Sequence, residues 1–227
     1  MTRKRVKGTI GTGSMNDPYM PLEAELNLTG QALDVIARFG FPVHIITKSD
    51  LVLKDLATLR RINQVYAAVS FSITTADDDL ANKIEPGAPS VSRRFQAMQA
   101  LAAHGILAGV VLMPVLPFIE DEEDNIAAIV ARAHASGADY VLPSFGVTLR
   151  DRQRAYYYSQ LDRLFPGMRQ TYERRFGERY HCPVRDPARL ERVLRELCDR
   201  FGLATGIRPY IPQPAVQPVA ARQLQLF

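Results

Sequence analysis

Apolar positions along this chain follow two rhythms in turn. Short, nearly continuous apolar runs rich in β-branched residues occur at 6–10, 41–48, 66–74, 107–114 and 138–143, and each reads as a buried strand. Between them the apolar residues fall three and four apart. Leu26, Leu33, Ile36 and Phe39 place a helix from about Leu22 to Phe39, interrupted near Thr29 and closed by Gly40. Ser49 and Asp50 can cap a short helix reaching about Ile62, and residues 77–83 make another short helical piece. A longer helix covers 92–104 and stops at Gly105. The acidic residues from Glu120 to Asp124 open a further helix to about Ser136, where carboxylates suit the positive end of the helix dipole. Continuous strands alternating with helices over short connections predict an α/β protein built from parallel βα units.

Beyond Arg150 this rhythm is expected to stop. Helical stretches at 152–164 and 187–201 are rich in Arg, Tyr and Leu, and after Gly206 the composition turns to Pro and Gln. The expected organisation is therefore a βα domain over 1–150, a helical extension over 151–208 and an extended tail over 209–227. With 227 residues, 47% of them hydrophobic and 23% charged, the chain is long enough to bury a sizeable core. No apolar run approaches the ~20 residues of a membrane span. The basic start has no apolar stretch behind it, so it does not read as a secretory signal, and the expected location is cytoplasmic. A net charge of +4 permits contact with nucleic acid without demanding it. Cys182 and Cys198, with four scattered histidines, fit no metal-site spacing, and buried or half-buried structural roles are expected for all six.

In parallel βα proteins the functional side chains gather where strands end. The first strand breaks into a loop from Gly11 to Asp17, with Pro18 and Pro21 behind it. This directs attention to Ser14, Asn16 and Asp17, to Lys48 at the end of the second strand, to Ser72 on the third and to Met113 on the fourth. Lys48 can bind a carboxylate or phosphate, form a Schiff base if desolvated, or simply pair with Asp50. Ser72 can bond a ligand or be satisfied by neighbouring backbone. Asp17, just before a proline, suits an Asx turn better than acid–base work.

Five blocks then carry a resemblance. Gly11-Thr-Gly-Ser-Met-Asn-Asp-Pro-Tyr-Met-Pro-Leu-Glu23, Ile45-Ile-Thr-Lys-Ser-Asp50, Ser70-Phe-Ser-Ile-Thr74, Ile84-Glu-Pro-Gly-Ala-Pro89 and Val110-Val-Leu-Met-Pro-Val-Leu-Pro117 occur in that order. Together the chain resembles the radical S-adenosylmethionine (SAM) enzymes of the spore-photoproduct-lyase-like, or DNA repair photolyase-like, group. The resemblance implies a partial (β/α) barrel that binds SAM across its strand ends and cleaves it reductively to start hydrogen abstraction, with nucleic acid as a candidate substrate. By motif, Ser14, Asn16 and Asp17 would hold the SAM amino group, Lys48 its carboxylate and Ser72 its ribose, while Met113 would border the adenine.

The family's [4Fe–4S] cluster needs three thiolates in a Cys-x3-Cys-x2-Cys loop, and this sequence has none. The first strand here resembles the family's second. The expectation is thus a truncated or misstarted member with five of six βα units, inactive as this chain. The rivals are a Schiff-base lysine enzyme using Lys48, and a non-catalytic SAM- or clamp-binding protein. The clamp enters through Gln223, Leu224, Leu226 and Phe227, which resemble the peptide by which bacterial repair proteins dock on the sliding clamp.

Overall fold

The computed structural model describes residues 6–212. Residues 1–5 and 213–227 lie outside it, and with them Gln223, Leu224, Leu226 and Phe227. Five strands make one sheet in chain order, every neighbouring pair parallel: β1 (Ile10–Thr12), β2 (Val43–Thr47), β3 (Ala67–Ser72), β4 (Leu107–Leu112) and β5 (Tyr140–Pro143). Helices fill each crossover. These are α1 (Glu23–Leu26) with α2 (Leu28–Phe39), a 3-10 turn (Asp50–Asp55) with α3 (Leu56–Ile62), α4 (Asp78–Ile84) with α5 (Val91–Ala102), and α6 (Glu123–Ala135). The predicted α/β alternation is the observed one, with β2 to β5 a residue or two shorter at their ends and β1 displaced from the expected 6–10 to Ile10–Thr12, inside the loop expected to begin at Gly11.

The capping residues explain most boundaries. Ser49 accepts the Leu51 amide, Asp77 those of Asp79 and Leu80, and Ser90 that of Arg93. The break in the first helix falls at Asn27, which takes the left-handed conformation at φ 51°, earlier than Thr29. Glu23 explains the restart: its buried carboxylate accepts the amides of Leu28, Thr29 and Gly30, the free donors at the start of α2.

The register sorts each strand onto two faces. Val43 and Ile45, Val69 and Phe71, Val110 and Leu112, and Val141 lie on the face covered by helices, in one core with Leu33, Leu59, Met98 and Ile129. The opposite face carries smaller and polar residues: His44, then Ala68, Ser70 and Ser72, then Gly109 and Val111. Tyr140 fills the space over Gly109, where a Cβ would sit 2.5 Å from its ring. Ser70 Oγ lies 2.8 Å from both His44 Nε2 and the Tyr140 hydroxyl, so this half-buried polar face is internally bonded.

Strands do not stop at Arg150. β6 (Gly146–Thr148) and β7 (His181–Pro183) pair antiparallel around α7 (Asp151–Leu164) and α8 (Met168–Phe176). Three-residue strands have no periodicity to read, and α8, with four Arg and Glu residues in nine positions, shows little apolar stripe. Leu149, Tyr158, Leu161, Tyr172, Phe176 and Cys182 form a small second core there. α9 (Pro187–Phe201) instead returns to the sheet. Its Leu190, Leu194 and Cys198 join the main core, and Ala204 beyond it bridges Tyr140. Both cysteines are buried, but His104, His134 and His181 are exposed and only His44 is half-buried. No helix among the described residues is long and apolar enough to cross a membrane.

Candidate functional site

The loop after β1 is fastened to the end of β2. Gly13 has φ 93° and a Cβ there would sit 1.9 Å from the Ile46 carbonyl oxygen, so only glycine lets the backbones meet. Asp17 then accepts three hydrogen bonds, from the Tyr19 amide (2.9 Å), the Thr47 hydroxyl (2.6 Å) and the Lys48 amide (2.7 Å). The Asx turn expected from the sequence is present, and the same carboxylate also pins the loop to β2. Ser14 and Asn16 are exposed beside it. Behind the loop the buried Tyr19 donates to Asp55 at 2.9 Å. Lys54 bonds Glu23 at 2.8 Å and also reaches Asn27, so this lysine has a structural task.

Lys48 and Ser72 are brought side by side. Thr47 pairs with Phe71, so the next residues of the two chains, Lys48 and Ser72, are lateral neighbours with the parity of the helix-free face. Val111 follows Ser72 in the same row, and Met113 stands half-buried two residues beyond it on β4's continuation. Lys48 does not pair with Asp50, which is held by Arg93 at 2.6 Å. Its partner is Glu85, at a long 3.4 Å, and its side chain remains 38% exposed. The other Glu85 oxygen binds Arg94 at 2.8 Å. Arg94 is 1% exposed and spends its remaining donors on backbone: Nε to the Pro89 carbonyl (2.9 Å) and Nη1 to the Ser72 carbonyl (2.8 Å). One buried guanidinium therefore ties the end of β3, the Glu-Pro-Gly-Ala-Pro loop and the counter-ion of Lys48 together. A cleft of about 450 Å³ opens here, lined by Asp17, Tyr19, Lys48, Asn82, Pro89 and Arg93 among others.

Two features went unread in the sequence. Glu120, expected to serve a helix dipole, is a buried carboxyl ahead of α6. It accepts the Thr74 hydroxyl at 2.6 Å and the Leu116 amide at 2.9 Å. Burial pushes its pKa up to about 7, against the pull of these two donors; Glu85 adds to the rise and Lys48 opposes it. Thr74 closing the Ser-x-Ser-x-Thr block was the available signal. The second feature is a tyrosine pair. The Pro117 carbonyl can only accept, so Tyr172 donates to it at 2.8 Å and Tyr157 donates to Tyr172 at 2.9 Å. Burial raises both phenol pKa values.

Among the described residues no group of three His, Cys, Asp or Glu could hold a metal ion. Cys182 and Cys198 sit on β7 and α9, and burial pushes both thiols up, Cys198 to about 11. They do not provide the three thiolates of a [4Fe–4S] cluster.

Comparison with known proteins places the chain as a whole. An uncharacterized protein of Mycobacterium tuberculosis is 28% identical over 216 residues, covering 94% of this chain and 63% of that protein. The chain thus spans less than two thirds of the relative's length. The Radical SAM Nalpha-GlyT isomerase of Pseudomonas phage M6 is 24% identical over 145 residues, covering 64% of this chain and 30% of that protein. Among solved structures, spore photoproduct lyase complexed with dinucleoside spore photoproduct superposes with a TM-score of 0.65 at 19% identity, over 89% of this chain and 62% of that one. A variant of that lyase with bound AdoMet gives 0.64 at 19%, over 91% and 63%. The fold is shared with that enzyme. A sequence profile of the radical SAM superfamily matches residues 2–130, more than half of the chain, and this protein belongs to that superfamily.

Proposed function

We propose that this chain supplies the SAM-binding face of a radical SAM enzyme. The observation that carries the reading is the pairing of Lys48 with Ser72. An incompletely neutralised ammonium and a half-buried hydroxyl stand side by side at adjacent strand ends, on the face that helices leave uncovered. The ammonium suits the carboxylate of SAM and the hydroxyl its ribose. Asp17 acts indirectly. With both oxygens engaged, it holds the Ser14–Asn16 loop and the Lys48 backbone in one geometry for the amino group. Met113, one strand further along, borders the adenine. SAM supplies the radical chemistry of this superfamily only with a reduced cluster, and this sequence does not contain that cluster's ligands. The residues present bind and orient, and the substrate of the larger reaction, nucleic acid included, belongs to the same proposal.

Calorimetric titration of the chain with SAM tests it. Lys48→Ala removes a charge-assisted hydrogen bond of roughly 1.5–3 kcal/mol, which lowers affinity about tenfold or more. Arg60→Ala, on the exposed side of α3, is the matched control. Lys54 is unsuitable, because it holds Glu23 and Asn27. Equal affinities for the two variants would remove Lys48 from the site.

A further inference from the structure

A second, more apolar groove of about 140 Å³ runs between the end of α4 and the C-terminal half of α7. Ile84, Leu116, Ile119, Leu164, Tyr157 and Phe165 make up half of its lining residues. It is separate from the Lys48 cleft. The Glu85 turn divides them, with Asn82 and Gly87 lining one and Ile84 and Pro86 the other. The Lys48 cleft lies among the segments that follow β1, β2 and β3, and the groove among those that follow β3 and β4. A closed apolar cavity of about this size accepts a single ring such as benzene; this groove is open on one side, with its apolar wall facing the Lys83, Gln160 and Arg163 side chains.

The rim is cationic. Lys83 Nζ lies 4.1 Å from the centre of the Phe165 ring, and Arg163 is oriented by Gln160 Oε1 at 2.7 Å, a neutral partner that leaves its charge uncompensated. Neither forms an ion pair among the described residues. A ring-sized, largely apolar groove with two exposed cations at its rim is complementary to one class of ligand. We propose that this groove binds a ligand that joins a single aromatic ring to an anionic group, a phosphate or a carboxylate. The proposal does not depend on SAM, and SAM is left out of its test.

The experiment is an NMR titration of the full chain, labelled at Ile and Leu methyl groups, with phenyl phosphate, benzoate, benzyl alcohol and inorganic phosphate. Saturable shifts confined to Ile84, Leu116, Ile119, Leu161 and Leu164 are expected from an anionic aromatic. The ranking of phenyl phosphate against benzoate tells a phosphate source from a carboxylate one. Benzyl alcohol and inorganic phosphate, each lacking half of the recognition, should bind at least about tenfold more weakly. The double variant Lys83→Gln/Arg163→Gln should lose about tenfold in affinity for the anionic aromatic with an unchanged melting temperature, since both side chains are exposed. Leu164→Trp should fill the groove and abolish binding; if it fails to fold, the double variant decides. Binding of benzyl alcohol or of inorganic phosphate as tight as phenyl phosphate, shifts centred elsewhere, or full affinity in the double variant would overturn the proposal.

Discussion

Replacing Glu120 by glutamine should make the protein more stable at neutral pH and remove a pH dependence that the wild type shows. The carboxyl is 1% exposed and its pKa in the folded protein stands at about 7, against an ordinary 4.5. Below about pH 4.5 the acid is protonated whether the chain is folded or not, and its burial carries no charge penalty. Between 4.5 and 7 the folded state holds a proton that the unfolded chain has released, so stability falls as pH rises. Above 7 the loss is complete. At 1.36 kcal/mol for each pH unit between the two values, the loss is about 3 kcal/mol. Glutamine reproduces the protonated pattern: its oxygen can accept the Leu116 amide while its amide donates to the Thr74 hydroxyl, which is free to rotate. Urea unfolding of both proteins at pH 5 and pH 8 is the assay, read as a difference. His44, whose pKa is lowered by burial, contributes the opposite slope to both proteins and cancels. Parallel stability curves for the two proteins between pH 5 and 8, or a variant less stable than wild type at pH 8, would refute the reasoning.

Arg94→Met should destabilise by roughly 3–5 kcal/mol, because it takes the buried partner from Glu85, which keeps only Lys48, and leaves two carbonyls without their donor; Arg94→Lys should not rescue it, lacking the planar fork. Denaturant midpoints check both. Gly13→Ala should lose at least about 2 kcal/mol from strain at its positive φ and its collision with Ile46, read in the same assay. A labelled peptide of residues 218–227 should bind a bacterial sliding clamp with micromolar-range affinity in fluorescence anisotropy, and Leu226→Ala with Phe227→Ala should abolish it.

Local chemistry was legible where it repeated. The β-branched runs at Val43–Thr47 and Leu107–Leu112 announced buried parallel strands, and Ser49, Asp77 and Gly40 announced helix ends. Strand ends then pointed to Lys48 and Ser72. What stayed hidden depends on contacts between distant residues. Nothing near Glu85 in the chain marks it as the partner of Lys48, because the ion pair exists only once β2 and the loop after α4 meet. Arg94 looked like one more helix-surface arginine; its burial follows from three acceptors, one at the end of β3 and two in the loop after α4. Glu120 sat in an acidic run with Glu122, Glu123 and Asp124 on the surface and Asp121 buried against Arg185, so composition did not mark the carboxyl that faces Thr74 instead of a cation. The β6–β7 pair was too short for any period to show.

The Arg94 clamp also bears on the thermodynamics of ligand capture. Lys48 and Ser72 are joined through Glu85 and one guanidinium into a single body before any ligand arrives, and Asp17 secures the adjoining loop. A ligand spanning both positions has little left to order, so its association should be enthalpy-led, with a heat-capacity change set by the ligand's own buried surface rather than by folding of the loops. Loosening the clamp without touching Lys48 or Ser72 would shift that balance toward an entropic loss, and calorimetry over a range of temperatures would register the change even where affinity moved only slightly.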